Sequence, residues 1–144
     1  MEKSVLLERI EALNIKESWK QKFRLYAEAG LKSGNFFPTF ENANILKGKF
    51  LAKFNPFACL FCVFYYLYLG LYKKAGMIVV FFLVLQFLMG LISGIIAPRL
   101  SYPMTHIILF ILILPNFYFY FVYFSMSANY DYYRKQVLGE NFWW

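Results

Sequence analysis

Residues 75–97, AGMIVVFFLVLQFLMGLISGIIA, run for 23 positions without a charge, enough helix to cross a hydrocarbon core of about 30 Å at ~1.5 Å per residue. A short break, PRLSYP, carries Arg99 and two prolines. Residues 104–128 then form a second uncharged run of 25, with Pro115 inside it as an expected kink. The two runs read as a transmembrane helical hairpin, and every other segment has to be placed relative to it.

Composition supports that reading. Apolar residues are 60% of the chain and aromatics 23%, more than a soluble domain of this size carries. Ten of the fifteen basic and six of the eight acidic residues precede Phe54, so a polar head is followed by a membrane body. The formal charge of +7 fits anionic lipid and the positive-inside bias better than nucleic acid, which is not expected as a partner. The first 35 residues lack a continuous apolar core, so no secretory signal is read there and the N-terminus is placed in the cytoplasm.

Within the head, Leu6, Ile10 and Leu13, then Trp19, Phe23, Ala27 and Leu31, recur at spacings of three and four. They predict two amphipathic helices broken near residues 14–17. Residues 1–33 are therefore the cytoplasmic head, and 34–53 a connector without helical period, the natural domain boundary. Residues 54–137 form the membrane domain, and 138–144 an aromatic tail.

The segment FNPFACLFCVFYYLYLGLYKK, residues 54–74, is ambiguous. Pro56 to Tyr72 is at the short limit for a span. If it crosses, there are three full transmembrane helices and the basic residues divide eleven to four. If it lies flat or dips in, fourteen share one face and Arg99 alone is opposite. The positive-inside rule favours the second arrangement. The expected fold is thus an all-α integral membrane protein of amphipathic N-terminal helices, an interfacial or shallowly inserted aromatic helix over 54–72, and a transmembrane hairpin of 75–97 and 104–128. Three full spans are the alternative.

The run FNPFACLFCVFYYLYLGLYKKAG, with Asn and Ala after a Phe, an aromatic stretch, and a basic pair opening a membrane helix, resembles the bacterial membrane family known as domain of unknown function 2628. ANYDYYRKQV is similar to that family's closing Asn and Tyr followed by basic residues. The resemblance covers residues 50–137 and implies a small inner-membrane protein with a cytoplasmic N-terminal piece and no known reaction.

Candidate sites follow from residue type and place. Cys59 and Cys62 share a helix face as C-x-x-C, but apolar neighbours disfavour the thiolate, so packing is preferred to thiol exchange. Two Cys and one His fall short of a four-ligand zinc site. His106, just inside the second span, is a candidate ligand or proton site; a packing or interface role is preferred to ligating haem, and no cofactor is expected. Gln86, Gly90, Gly94 and Ala97 form a helix-packing face, serving either self-association or the hairpin itself. Lys53, Lys73, Lys74, Arg134 and Lys135, with Tyr65, Tyr68 and Tyr72, form an aromatic-basic face for lipid or a partner. Asn116, Tyr120, Tyr123, Ser127 and Tyr130 form a polar stripe facing those tyrosines, and the dense aromatics of 117–124 read as a headgroup-level belt.

No carboxylate pair, Ser–His–Asp set, phosphate loop or intramembrane acid is read from Phe54 onward, so catalysis is not expected. The functional expectation is a non-enzymatic regulator or accessory subunit that binds lipid or a protein partner. A homo-oligomeric, holin-like pore and a haem- or thiol-linked redox protein are the alternatives. Residues 75–97 offer a pore only Gln86 and Ser93 as polar lining.

Overall fold

A computed structural model of the chain describes residues 3–32, 39–47, 50–99 and 102–143. It is mostly helical. Helix α1 (Lys3–Ala12) and α2 (Glu17–Glu28) form the head. The connector holds a small antiparallel ladder of β1 (Leu31–Lys32) and β2 (Thr39–Phe40), a 3₁₀ turn at Ala43–Leu46, and α3 (Phe50–Lys53). Then come α4 (Pro56–Tyr68), α5 (Tyr72–Ile96), a 3₁₀ turn at Ala97–Arg99, α6 (Tyr102–Phe117), a π turn at Tyr118–Tyr123, and α7 (Phe124–Gln136).

Two helical segments, Tyr72–Ile95 and Pro103–Gln136, are long and apolar enough to cross a membrane. The second is 34 residues, roughly 50 Å of helix, far longer than the expected 104–128. The excess is α7, which continues beyond the apolar hairpin and becomes the central strut of a packed body. Pro115 cannot donate a backbone hydrogen bond, and the widened π turn follows it at Tyr118–Tyr123.

The expected head helices form where the periodicity put them, with Ile10, Phe23 and Ala27 buried. The head is not set apart by a loose linker, however. Trp19 of α2 meets Tyr132 of α7 edge-on at 4.7 Å between ring centroids, and Phe23 and Tyr26 meet Tyr133 at 5.3 and 5.7 Å. The connector, read as irregular, contributes Leu46 and Ala52 to this same core. Sequence periodicity misses such structure because each piece is only two to four residues long, below the length at which a pattern exists.

Helix α4 is 13 residues, about 20 Å, too short to cross as a single helix. Both of its ends are tied to α7. The Asn55 amide donates to the Ser125 carbonyl at 2.9 Å, and Lys135 Nζ donates to the carbonyls of Leu69 and Gly70 at 3.2 and 2.8 Å. In the middle, Cys62 has φ 32° and ψ −100°, which breaks the helix in two. Such a conformation is strained for a residue with a side chain, and Cys62 is fully buried, so the interrupted backbone is covered by protein.

Candidate functional site: a buried charge network

Local rules place the ends of α4. Asn55 is its N-cap: Oδ1 accepts from the amides of Phe57 and Ala58 at 3.0 and 3.2 Å, and Pro56 supplies a preset first turn. At the other end Gly70, at φ 70°, takes the left-handed position of a Schellman turn, with the Leu71 amide reaching the Tyr66 carbonyl at 2.9 Å. Lys135 seated on these last carbonyls complements the helix dipole. Asn55 Nδ2 also donates to Tyr65 Oη at 2.9 Å and to Asn129 Oδ1 at 2.7 Å. Asn129 in turn donates to the Ala52 carbonyl at 2.9 Å, which Tyr26 Oη also reaches. One asparagine pair therefore joins head, α3, α4 and α7.

Between the two anchored ends of α4 lies a buried charge network. Lys74 Nζ is 2.7 Å from Asp131 Oδ2, with side-chain exposures of 2% and 0%. Tyr66 Oη donates to the same carboxylate oxygen at 3.0 Å and meets Ser127 Oγ at 2.9 Å. Three rings surround the ammonium: Tyr123, Phe142 and Tyr66 at 5.6, 5.7 and 5.9 Å. The C-terminal tail closes the cage. Arg134 pairs with Glu140 at 2.6 Å, and its guanidinium lies 3.9 Å from the centre of the Phe142 ring. Among the described residues, Asp131 Oδ1 and Ser125 Oγ are buried without a hydrogen-bond partner.

The basic residues expected on one open aromatic-basic face are not presented that way. Lys74 and Arg134 are buried in ion pairs, and Lys135 is occupied by α4 carbonyls. Lys73 lies over the Trp143 ring at 5.4 Å, and Lys53 is half-buried at the end of α3. The reason is the length of α7: by continuing past the hairpin it carries its charges into a protein core rather than to the headgroups. The aromatic belt changes for the same reason. Tyr123, Phe124, Tyr130 and Tyr133 are buried, whereas Phe117 and Tyr118 stay exposed.

The polar stripe exists at Tyr123, Ser127 and Tyr130, but the tyrosine that faces it is Tyr66. Tyr68 and Tyr72 point outward at 77% and 70% exposure. Asn116 instead accepts from Gln86 at 3.3 Å, so Gln86 does link α5 to α6. The Tyr120 side chain lies outside the described ones. Among the described residues nothing lies within 4 Å of where a Cβ at Gly90 or Gly94 would stand, so no described contact makes them the face that packs α5 on α6; the Ala97 side chain lies outside the described ones. His106 is exposed on α6. Burial pushes the Cys62 thiol pKa up to about 12, with a smaller opposing backbone hydrogen bond, so its thiolate is disfavoured.

Asp131 is the residue that sequence reasoning passed over. It stands beyond the uncharged run of 104–128, at the end of the 54–137 domain, and so received no role. The available signal was its helix register: Ser127, Asp131 and Arg134 share a face with Tyr123 and Tyr130, and a carboxylate on so aromatic a face needs a cation.

No family model, curated protein or solved structure matches this chain, and the likeness to domain of unknown function 2628 gains no support from them.

Proposed function

We propose that this chain is a non-enzymatic, membrane-anchored binding protein, a small regulator or accessory subunit of the bacterial inner membrane. The α5–α6 hairpin lies in the bilayer, α4 dips shallowly into it, and the N-terminal head sits on the cytoplasmic side, where it meets lipid or a protein partner. One observation carries this reading. Large apolar side chains face outward along the hairpin, with Leu83, Phe87 and Phe110 at 65–66% exposure, while Lys74 and Asp131 are shut inside. That distribution suits hydrocarbon around the hairpin and water around the head, and it would be costly in water alone. The buried network supports a holding role: it ties α4 and the start of α5 to α7, on which the head packs through Trp19 and Phe23.

The test is extraction and labelling. The protein should stay in the membrane pellet at alkaline pH. In a Cys59→Ala/Cys62→Ala background, Arg99→Cys should label from outside intact cells and Lys20→Cys only after permeabilisation. Release into the carbonate supernatant, or labelling of both positions from one side, would overturn the reading.

A further inference from the structure

A groove of 580 Å³ runs between the head and α4. Trp19, Tyr65, Tyr68 and Phe57 line it with aromatic surface, and Lys16 and Lys22 stand at its rim. Among the described residues no acid lines it. The nearest acid in sequence, Glu17, is held by Arg24 at 2.6 Å, and neither lysine makes an ion pair among the described residues. Lys22 Nζ lies 4.7 Å from the centre of the Trp19 ring. Burial lowers its pKa with no anion to offset the effect, as expected of a cation that lacks its counterion.

Phe61 and Phe64, which follow Phe57 on α4 at helical spacings of four and seven, are 53% and 75% exposed and leave an apolar strip on that helix beside the groove. Cations and amphipathic tyrosines in the groove, with an exposed apolar strip on α4 beside it, match the charged head and apolar chains of a phospholipid. An acidic peptide would match the lysines but not the apolar strip.

We propose that this groove binds one anionic phospholipid, its phosphate between Lys16 and Lys22 and its acyl chains along α4. The proposal rests on the membrane-anchored reading and makes its ligand specific. Lipid density at the groove would then cement the head against α4 from outside, as the asparagine pair does from inside.

The experiment is a titration of phosphatidylglycerol into phosphatidylcholine nanodiscs holding the full chain, with bound lipid read by native mass spectrometry. The wild type should retain one phosphatidylglycerol in preference to phosphatidylcholine. At roughly 1 kcal/mol per basic residue near an anionic headgroup, Lys16→Gln/Lys22→Gln should weaken that retention about 30-fold. Lys3→Gln/Lys47→Gln, with the same charge loss away from the groove, should keep it. Lys22→Arg guards against misfolding and should bind within about threefold of the wild type. Equal retention of both lipids, equal weakening in the two double variants, or loss in Lys22→Arg would overturn the proposal. A chain that fails to enter nanodiscs at all would instead sink the membrane-anchored reading.

Discussion

Lys74, at the first turn of α5, and Asp131, midway along α7, form a 2.7 Å ion pair from which solvent is excluded. The pair joins the start of one apolar helix to the far end of the other. Removing water from both charges is costly, and only close geometry with added hydrogen bonds offsets it. Deleting one partner should therefore hurt far more than deleting both. Lys74→Met or Asp131→Leu alone is expected to cost about 3–5 kcal/mol, and the double variant less than either single one, measured by denaturant unfolding in detergent. A double variant as unstable as the sum of the singles would show that the two charges are not coupled.

The Asn55–Asn129 contact makes a separate claim. Asn55→Ala removes a helix cap and a buried amide pair together, so a loss of roughly 1–3 kcal/mol is expected. In a double-mutant cycle with Asn129→Ala the coupling should exceed about 1 kcal/mol. Additive effects would mean that the bridge contributes nothing beyond its separate ends.

At Gly70 a Cβ would stand 2.6 Å from Lys135 Nζ, in a backbone at φ 70°. Gly70→Ala should destabilise by about 1–2 kcal/mol from the left-handed conformation alone, plus displacement of the lysine from the end of α4. Placed in a Lys135→Ala background, the same substitution should cost less without becoming neutral. A neutral Gly70→Ala in either background would contradict the Schellman geometry.

Cys62 supplies a chemical test of burial. With its thiol pKa raised to about 12, raising the pH from about 7 to 9 still leaves the group protonated. Maleimide labelling read by peptide mass should miss Cys62 in the folded protein over that range and reach it after unfolding. Rapid labelling at neutral pH would show that α4 is not seated on α7.

In the head, the hydrogen bond from Arg24 holds the Glu11 carboxyl pKa below its usual value, with contacts at 2.6 and 2.9 Å. A carboxylate with a depressed folded-state pKa contributes stability above its unfolded pKa, near 4.5, and loses it as pH falls through the folded value. Acidification below pH ~4 should lower the amide protection of residues 3–12 relative to intrinsic exchange at each pH, and Arg24→Gln should give the same loosening at neutral pH. Unchanged protection across that pH window would remove Glu11–Arg24 as the clasp between α1 and α2.

What the sequence determined by itself was local or periodic. Uncharged runs gave the two long apolar helices, spacings of three and four gave α1 and α2, and the positive-inside count favoured a short α4 over a third span, as its 13 residues agree. The Gln86 link and the packing of Cys62 were legible for the same reason, since both depend on immediate surroundings. Tertiary structure decided where the second apolar helix leaves the exposed hairpin and enters a packed core. Its extension to Gln136 brings Tyr66, Lys74, Ser127 and Asp131 together across 65 positions of sequence, takes Lys74 and Arg134 out of the expected aromatic-basic face, and turns part of the aromatic belt into core. No window of sequence reports such contacts, because a charge beside an aromatic run looks the same whether it meets a headgroup, water or a buried counterion. Only the partner's position decides which, and long-range packing sets that position.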